Sequence, residues 1–233
     1  MIAGNFKILE DKILAACKSA GRNRSEIILI GVSKNNTISA IKEALNIGIR
    51  DFGENKAQEL RDKCLLFEGD FNWHFVGHLQ TNKVKYVIEP AEYIHSVDSS
   101  KLADEINFRA GKINKRQKIL FEVNTSEEDS KYGLTKEDEV FKLADYCSGK
   151  ENLEICGLMT MAPYTDDEVV IKKSFEKLNS LKGKLVTRGF NLRHLSMGMT
   201  NDFELAIREG ATMIRIGTAL FGHRDYNKSW KEE

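Results

Sequence analysis

Two stretches of this sequence carry residue types that can do chemistry together: Lys34, and the paired runs Ser196-Met197-Gly198-Met199-Thr200 and Arg215-Ile216-Gly217-Thr218. Lys34 closes Ile27-Ile28-Leu29-Ile30-Gly31-Val32-Ser33-Lys34 and is followed by Asn35-Asn36-Thr37. A short aliphatic run that breaks into polar residues is a buried strand leaving the core for a loop. The carboxyl end of such a strand is where α/β sheets bind their ligands. A lysine amine there can condense with a carbonyl once desolvation or a neighbouring cation removes its proton. The alternative is a solvated lysine at a strand exit. The two later runs suit an anion: glycine lets the backbone approach, N–H groups point outward, and hydroxyls add donors. Gly198 and Gly217 would otherwise serve only tight turns.

Arg215 alternates with Ile214 and Ile216. If the isoleucines face helices, Arg215 points into the interior, where a guanidinium needs a partner. That partner is a carboxylate such as Glu54 or Glu122, or a ligand. Polar residues also bunch after two further apolar runs, in Asp51-Phe52-Gly53-Glu54-Asn55 and in Trp73 to Lys83. His74 reads as a core histidine donating to a backbone carbonyl, while His78 lies in the loop and faces a ligand. His78 and His95 have no carboxylate at metal-ligand spacing, so no metal site is expected. Asn124-Thr125-Ser126 through Lys131-Tyr132-Gly133 reads as a polar loop ordering over the site.

The elements that position these residues follow from periodicity. Helices are expected at 5–20, 37–47, 56–67, 80–88, 99–110, 135–147, 166–181 and 201–208, the last with Asn201 and Glu204 in capping-box spacing. A short helix is expected at 218–221. Strands are expected at 27–33, 49–52, 72–76, 93–97, 117–123, 153–158, 193–196 and 212–216. Strict β/α alternation demands parallel strands, and eight units in a chain of 233 residues close most naturally into a (β/α)8 TIM barrel with an extra N-terminal helix. An open doubly wound sheet is the alternative, but no glycine-rich fingerprint follows the first strand. With only two prolines and no linker composition, residues 1–233 read as one domain.

Bulk composition narrows the function. Hydrophobic residues make up 41% and charged residues 30%, with 35 basic and 35 acidic side chains in balance. Zero net charge argues against a general nucleic-acid or membrane field. No apolar run reaches a membrane span and no leader is recognisable, so neither a membrane nor a secreted location is expected. The four cysteines lack zinc or redox spacing and read as reduced thiols in the cytoplasm.

An amine at one strand end, an anion cradle at two others and an arginine inside resemble the pyridoxal phosphate-binding barrel. Whole segments resemble the pyridoxal phosphate homeostasis protein family: Gly31-Val32-Ser33-Lys34, Asp51 to Asn55, Trp73 to Lys83, Ile94 to Ser99, Gly157-Leu158-Met159, Leu195 to Asp202 and Ile214 to Thr218. The resemblance runs from about residue 5 to Gly222. It implies a barrel like the N-terminal domain of alanine racemase, with pyridoxal 5'-phosphate (PLP) held as a Schiff base on Lys34. It also implies phosphate contacts from Ser196, Thr200, Gly217 and Thr218, Arg215 facing the pyridine nitrogen, and Asn55, His78 and Met199 at the cofactor site. The chain departs from the family at Asn35-Asn36-Thr37-Ile38, where lysine and proline are common, and at Lys56, where an aromatic residue or arginine is.

The implied function is a non-catalytic carrier or regulator of vitamin B6 supply, affecting amino-acid and keto-acid balance. It would act as a monomer that meets PLP-dependent apo-enzymes transiently. One rival is an amino-acid racemase or decarboxylase on the same cofactor. The other is a Schiff-base aldolase, although the sixth strand carries no lysine. A racemase needs an acid/base on each face of the α-carbon. Only Gly222 to Glu233 follow the eighth strand, too few for the further domain that supplies one of them in barrel racemases.

Overall fold

The computed structural model describes residues 1–126, 128, 131–222 and 230–231. Eight strands alternate with helices: β1 (Ile28–Val32), β2 (Asp51–Glu54), β3 (Asn72–Phe75), β4 (Ala91–Val97), β5 (Gln117–Glu122), β6 (Leu153–Met159), β7 (His194–Ser196) and β8 (Met213–Ile216). Each is parallel to the next, and β8 pairs with β1 to close the barrel. The helices are α1 (Ile2–Ser19), α2 (Ile38–Asn46), α3 (Ala57–Cys64), α4 (Val84–Val87), α5 (Ser100–Lys112), α6 (Glu137–Ser148), α7 (Glu168–Thr187), α8 (Phe203–Arg208) and α9 (Thr218–Phe221). The chain is therefore the expected TIM barrel.

Alternation along each strand splits the core in two. Outward residues such as Phe52, Trp73, Ile119, Leu195 and Ile214 meet the apolar faces of the helices in one continuous cluster. Inward residues form a small second cluster of Ile30, Leu120, Cys156, Met159 and Met213, with Ile28 and Tyr93 against it. This floor fills the lower barrel, so polar inward residues above it can only belong to a site or to a buried network. Caps fix several helix starts: Thr37 accepts from Ala40 N–H, Ser99 from Leu102 N–H and Asp167 from Val169 N–H. The extra N-terminal helix α1 packs on α2, α8 and α9, over the seam where β8 meets β1. Asn5 donates to the Leu220 carbonyl across that seam at 3.0 Å.

Several expected boundaries move for identifiable reasons. The second strand begins at Asp51 rather than Ile49, because Ile49 N–H still closes the end of α2 by donating to the Ala44 carbonyl. The helix expected over 80–88 divides into a 3-10 turn at Thr81–Lys83 followed by α4. The capping box expected at Asn201 and Glu204 does not form. Asp202 holds the N-cap position of α8, and its carboxylate accepts from Met199 N–H.

Gly157, where the ladder register between β5 and β6 shifts, lets β6 and β7 approach closely. A Cβ there would lie 2.1 Å from the His194 carbonyl oxygen. Gly157→Ala should therefore cost about 3 kcal/mol through backbone displacement, read as a fall of roughly 6–12 °C in Tm. Gly183→Ala within α7, where nothing lies within 4 Å of the new methyl, should leave Tm unchanged or raise it.

Candidate functional site

Lys34 continues the inward series of β1, two residues past the strand, and is half-buried. Its neighbours are held from the opposite, helix-facing side. Ser33 is fully buried; its hydroxyl donates to Glu54 Oε1 at 2.6 Å and its carbonyl accepts from Lys63 Nζ at 2.8 Å. Asn35 takes a left-handed backbone, φ 58°, and donates its N–H to Glu59 Oε1 at 2.7 Å. Lys63 of α3 spends its ammonium protons on Ser33, Glu54 (2.8 Å) and Glu59 (2.7 Å). Both sides of Lys34 are thus tied to one buried ion cluster. Burial is the main reason the Glu54 carboxyl is pushed up to about 7, with Lys63 opposing. The two positions that depart from the family pattern touch each other, Lys56 Nζ donating to Asn35 Oδ1 at 3.2 Å. Sequence reasoning missed Lys63 and Glu59. The available signal was their i,i+4 spacing on a helix whose apolar face had to be buried.

Arg215 points into the barrel, as alternation requires, and pairs with Ile30 in the adjacent strand. Neither Glu54 nor Glu122 receives its hydrogen bonds. Nη1 donates to Ser196 Oγ at 2.7 Å and Nη2 to the Thr160 carbonyl at 2.8 Å. Burial pulls its pKa down to about 10, which leaves it charged at neutral pH. Behind Ser196 runs a line of inward polar groups. Ser196 Oγ lies 2.9 Å from His95 Nδ1, His95 Nε2 lies 2.9 Å from His74 Nδ1, and His74 Nε2 lies 2.9 Å from Asp51 Oδ1. His74 therefore bonds side chains rather than the backbone carbonyl expected for it. Burial first, and then the nearby His74 ring and the Arg215 guanidinium, hold the His95 pKa well below the ordinary histidine value. His95 was missed as a site residue because its partners come from β3 and β7.

The loops after β7 and β8 meet at the barrel mouth. Gly198 has φ 93°, and a Cβ there would strike Ala206 Cβ at 2.6 Å, so glycine alone fits. Its carbonyl accepts from Arg215 N–H at 2.9 Å. Thr200 Oγ1 accepts from Ala219 N–H at 3.4 Å, joining this loop to the first turn of α9 beside Gly217 and Thr218. The Met199 side chain is exposed and its N–H is engaged by Asp202, whose own pKa burial raises. Ser196, Arg215, Thr200, Gly217 and Thr218 thus come together on the β7–β8 side, with Lys34 on the adjoining β1.

Asn55 and His78 follow β2 and β3. Asn55 Oδ1 is buried with no hydrogen-bond partner among the described residues. His78 is exposed and stacks on Tyr132 with ring centroids 3.7 Å apart. Tyr132 belongs to the polar loop after β5, which folds on Asn124: its Oδ1 accepts from Ser126 and its amide donates to the Glu128 carbonyl. Lys131 donates to the Ala162 carbonyl at 2.7 Å and pairs with Glu128 at 2.6 Å. Glu122 shares the face of Leu120, two residues along β5, and points inward. It is buried, and its Oε2 has no partner among the described residues. Burial and Asp98 push its pKa up to about 7, with Arg215 opposing. No group of three or more His, Cys, Asp or Glu among the described residues is placed to hold a metal ion.

The set fits a phosphorylated aldehyde with a ring acceptor. It presents an amine, a guanidinium one strand away, a hydroxyl- and glycine-bearing rim, and the buried unpartnered acceptors Asn55 Oδ1 and Glu122 Oε2. The Glu122 carboxyl has a testable consequence. Its folded pKa of about 7 exceeds the ordinary 4.5, so the native state holds a proton that the unfolded chain has released across that window. Stability from this group is therefore lost as pH rises from 4.5 to 7. Glu122→Gln should match the parent near pH 4.5 and exceed it at pH 8 by up to about 3 kcal/mol, measured by urea unfolding of cofactor-free protein.

Comparison with known proteins agrees with this geometry. A family model described as alanine racemase, N-terminal domain, matches residues 26–225. The pyridoxal phosphate homeostasis protein of Aquifex aeolicus (strain VF5) is 44% identical over 223 residues, covering 94% of this chain and 96% of that protein. Its counterpart in Escherichia coli (strain K12) is 38% identical over 234 residues, covering 97% and 98%. The structure of PipY from Synechococcus elongatus PCC7942 with PLP bound superposes with a TM-score of 0.82 at 32% identity, covering 95% of this chain and 100% of that chain. An alanine racemase of Clostridium difficile 630 shares the fold alone: TM-score 0.78, 14% identity, covering 97% of this chain and 58% of that one.

Proposed function

Because this chain belongs to the alanine racemase N-terminal-domain family, and within it to the pyridoxal phosphate homeostasis proteins, we propose that it binds PLP and carries or regulates the intracellular supply of that cofactor. The observation that carries this reading is Arg215, directed into the barrel on β8, with Lys34 two residues past the end of the paired strand β1 and in its inward register, beside the joined Gly198–Thr200 and Gly217–Thr218 loops. PLP, when bound, supplies an aldehyde that captures amines and a ring that withdraws electrons. Lys34 Nζ would be the amine that holds the aldehyde. Thr200, Gly217 and Thr218 hold the phosphate, with Met199 beside them and Ser196 at their base, while Arg215 donates toward the ring nitrogen. Asn55 and His78 line the rim. The buried cluster around Lys63 keeps the amine in place, and the apolar floor of Ile30, Leu120 and Met213 keeps water from below.

The ring nitrogen sets the kind of chemistry available. Arg215 is a donor that stays charged at neutral pH, so it disfavours protonation of that nitrogen and weakens the electron sink. A barrel racemase also sets an arginine here, so it is the homeostasis name borne by the relatives that supports a carrier over a racemase or decarboxylase. The four cysteines are free thiols, which suits a reducing compartment, and we place the protein in the cytoplasm as a monomer that passes PLP to apo-enzymes. Among the described residues no helix is long and apolar enough to cross a membrane.

The direct test is the absorption spectrum of the protein with PLP before and after borohydride, followed by peptide mapping. Lys34→Ala should abolish the borohydride-stable adduct yet retain non-covalent binding; an adduct on Lys83 or Lys131 with Lys34 unmodified would refute the assignment. Thr200→Ala should weaken PLP retention about tenfold, the worth of one hydrogen bond to a charged group, and an unchanged Kd would remove the phosphate from these loops. Deuterium exchange at the α-carbon of a panel of amino acids tests the carrier reading. Turnover near or above about 1 per second, the low end of ordinary enzymes, would establish a racemase or decarboxylase instead.

A further inference from the structure

The line Arg215–Ser196–His95–His74–Asp51 is continuous, with links of 2.7, 2.9, 2.9 and 2.9 Å, and joins a cation to a carboxylate. Asp51, as a carboxylate, only accepts, and Asn72 Nδ2 already donates to the same oxygen at 3.0 Å. With both imidazoles neutral, His74 must therefore present Nε2–H to Asp51. Its Nδ1 then accepts from His95 Nε2–H, and His95 Nδ1 accepts the Ser196 hydroxyl proton. That leaves the Ser196 oxygen with lone pairs alone, which is what the guanidinium, a pure donor, requires. Every link runs one way, from a fixed cation to a fixed anion, through groups buried inside the barrel. In this arrangement, with both imidazoles neutral, the hydroxyl of Ser196 spends its only proton on His95. It has none left for a phosphate dianion, which can only accept.

We propose that His95 is a positioning residue: acting through Ser196, it orients Arg215 toward the ring nitrogen of the bound cofactor, and the Ser196 hydroxyl serves this chain rather than the phosphate. The assignment rests on the cofactor reading given above. Thr160 is the second fixed point, since its carbonyl holds the other guanidinium nitrogen. Together the two acceptors leave Arg215 one defined orientation on a long side chain that would otherwise have many.

The experiment compares PLP with its 1-deaza analogue, in which C–H replaces the ring nitrogen, and reads the ratio of their apparent Kd values. Wild type, Arg215→Met, His95→Phe and Ser196→Ala are measured side by side. Taking the ratio relative to wild type cancels the differing reactivity of the two aldehydes. Arg215→Met calibrates the loss of the donor and should lower the preference for PLP about tenfold. His95→Phe and Ser196→Ala should lower it by a similar factor while leaving deaza binding within about threefold of wild type. A merely structural role would move both ligands together.

If Arg215→Met changes the ratio but His95→Phe and Ser196→Ala keep the wild-type value, the positioning role is overturned and the cofactor reading stands. If Ser196→Ala weakens both ligands in parallel, its hydroxyl is a phosphate contact and the proposal falls. If Arg215→Met leaves the ratio unchanged, the arginine does not meet the nitrogen and the reading beneath the proposal fails with it. Should His95→Phe not fold, Ser196→Ala, which removes one exchangeable oxygen, decides alone.

Discussion

A guanidinium inside a barrel of aliphatic side chains is the constraint on which the rest of this site depends. Arg215 stays charged in a place that water does not reach, so each of its donors must find an oxygen supplied by the fold. A carboxylate in direct contact would meet the demand, yet none among the described residues accepts from it. The structure answers with neutral acceptors instead, a serine hydroxyl and a backbone carbonyl, and places the compensating anion at the far end of a histidine pair. This keeps the cation's front face available to a ligand, which a directly bound carboxylate would cover.

A second buried charge, Lys63, performs the complementary task on the other side of the sheet. It lies between β2 and α3, outside the barrel wall, and ties down the backbone on both sides of Lys34. The backbone on either side of Lys34 is thus held from behind by an ion cluster, on the strand next to the one that carries Arg215. Breaking such a pair on one side leaves an uncompensated buried charge, typically at a cost of about 3–5 kcal/mol. Both charged networks therefore couple the integrity of the barrel to the geometry of the site.

On the proposed carrier reading, this frame serves retention more than turnover: a permanent cation opposite the ring nitrogen would give affinity and orientation without the protonated ring that strong electron withdrawal needs. The rim, by contrast, is built from exposed groups: His78 stacked on Tyr132, and Thr218 beside the Gly217 turn. A deep, rigid hold on the amine and ring beneath an accessible rim suits a protein that takes up and releases a cofactor.

Much of this was legible in the chain alone. Period-two and helical spacing located eight strands and the intervening helices, and alternation alone sent Arg215 inward, because local patterning records which face of an element is buried. The hydroxyl and glycine runs at Ser196–Thr200 and Gly217–Thr218 read as an anion cradle from residue types alone, and the fold brings the two loops together. The start of β2 was misplaced because Ile49 is apolar for a different purpose, the closing turn of α2. What tertiary structure alone decided was partnership. His95 meets Ser196 across a separation of 101 residues and Lys63 meets Ser33 across 30, and nothing in the spacing of either pair marks it. Sequence fixes the alternation that points each side chain in or out. Only closure of the barrel brings inward residues from β2, β3, β4, β7 and β8 onto one line, and so determines that the histidines are part of the site and that Ser196 answers to Arg215.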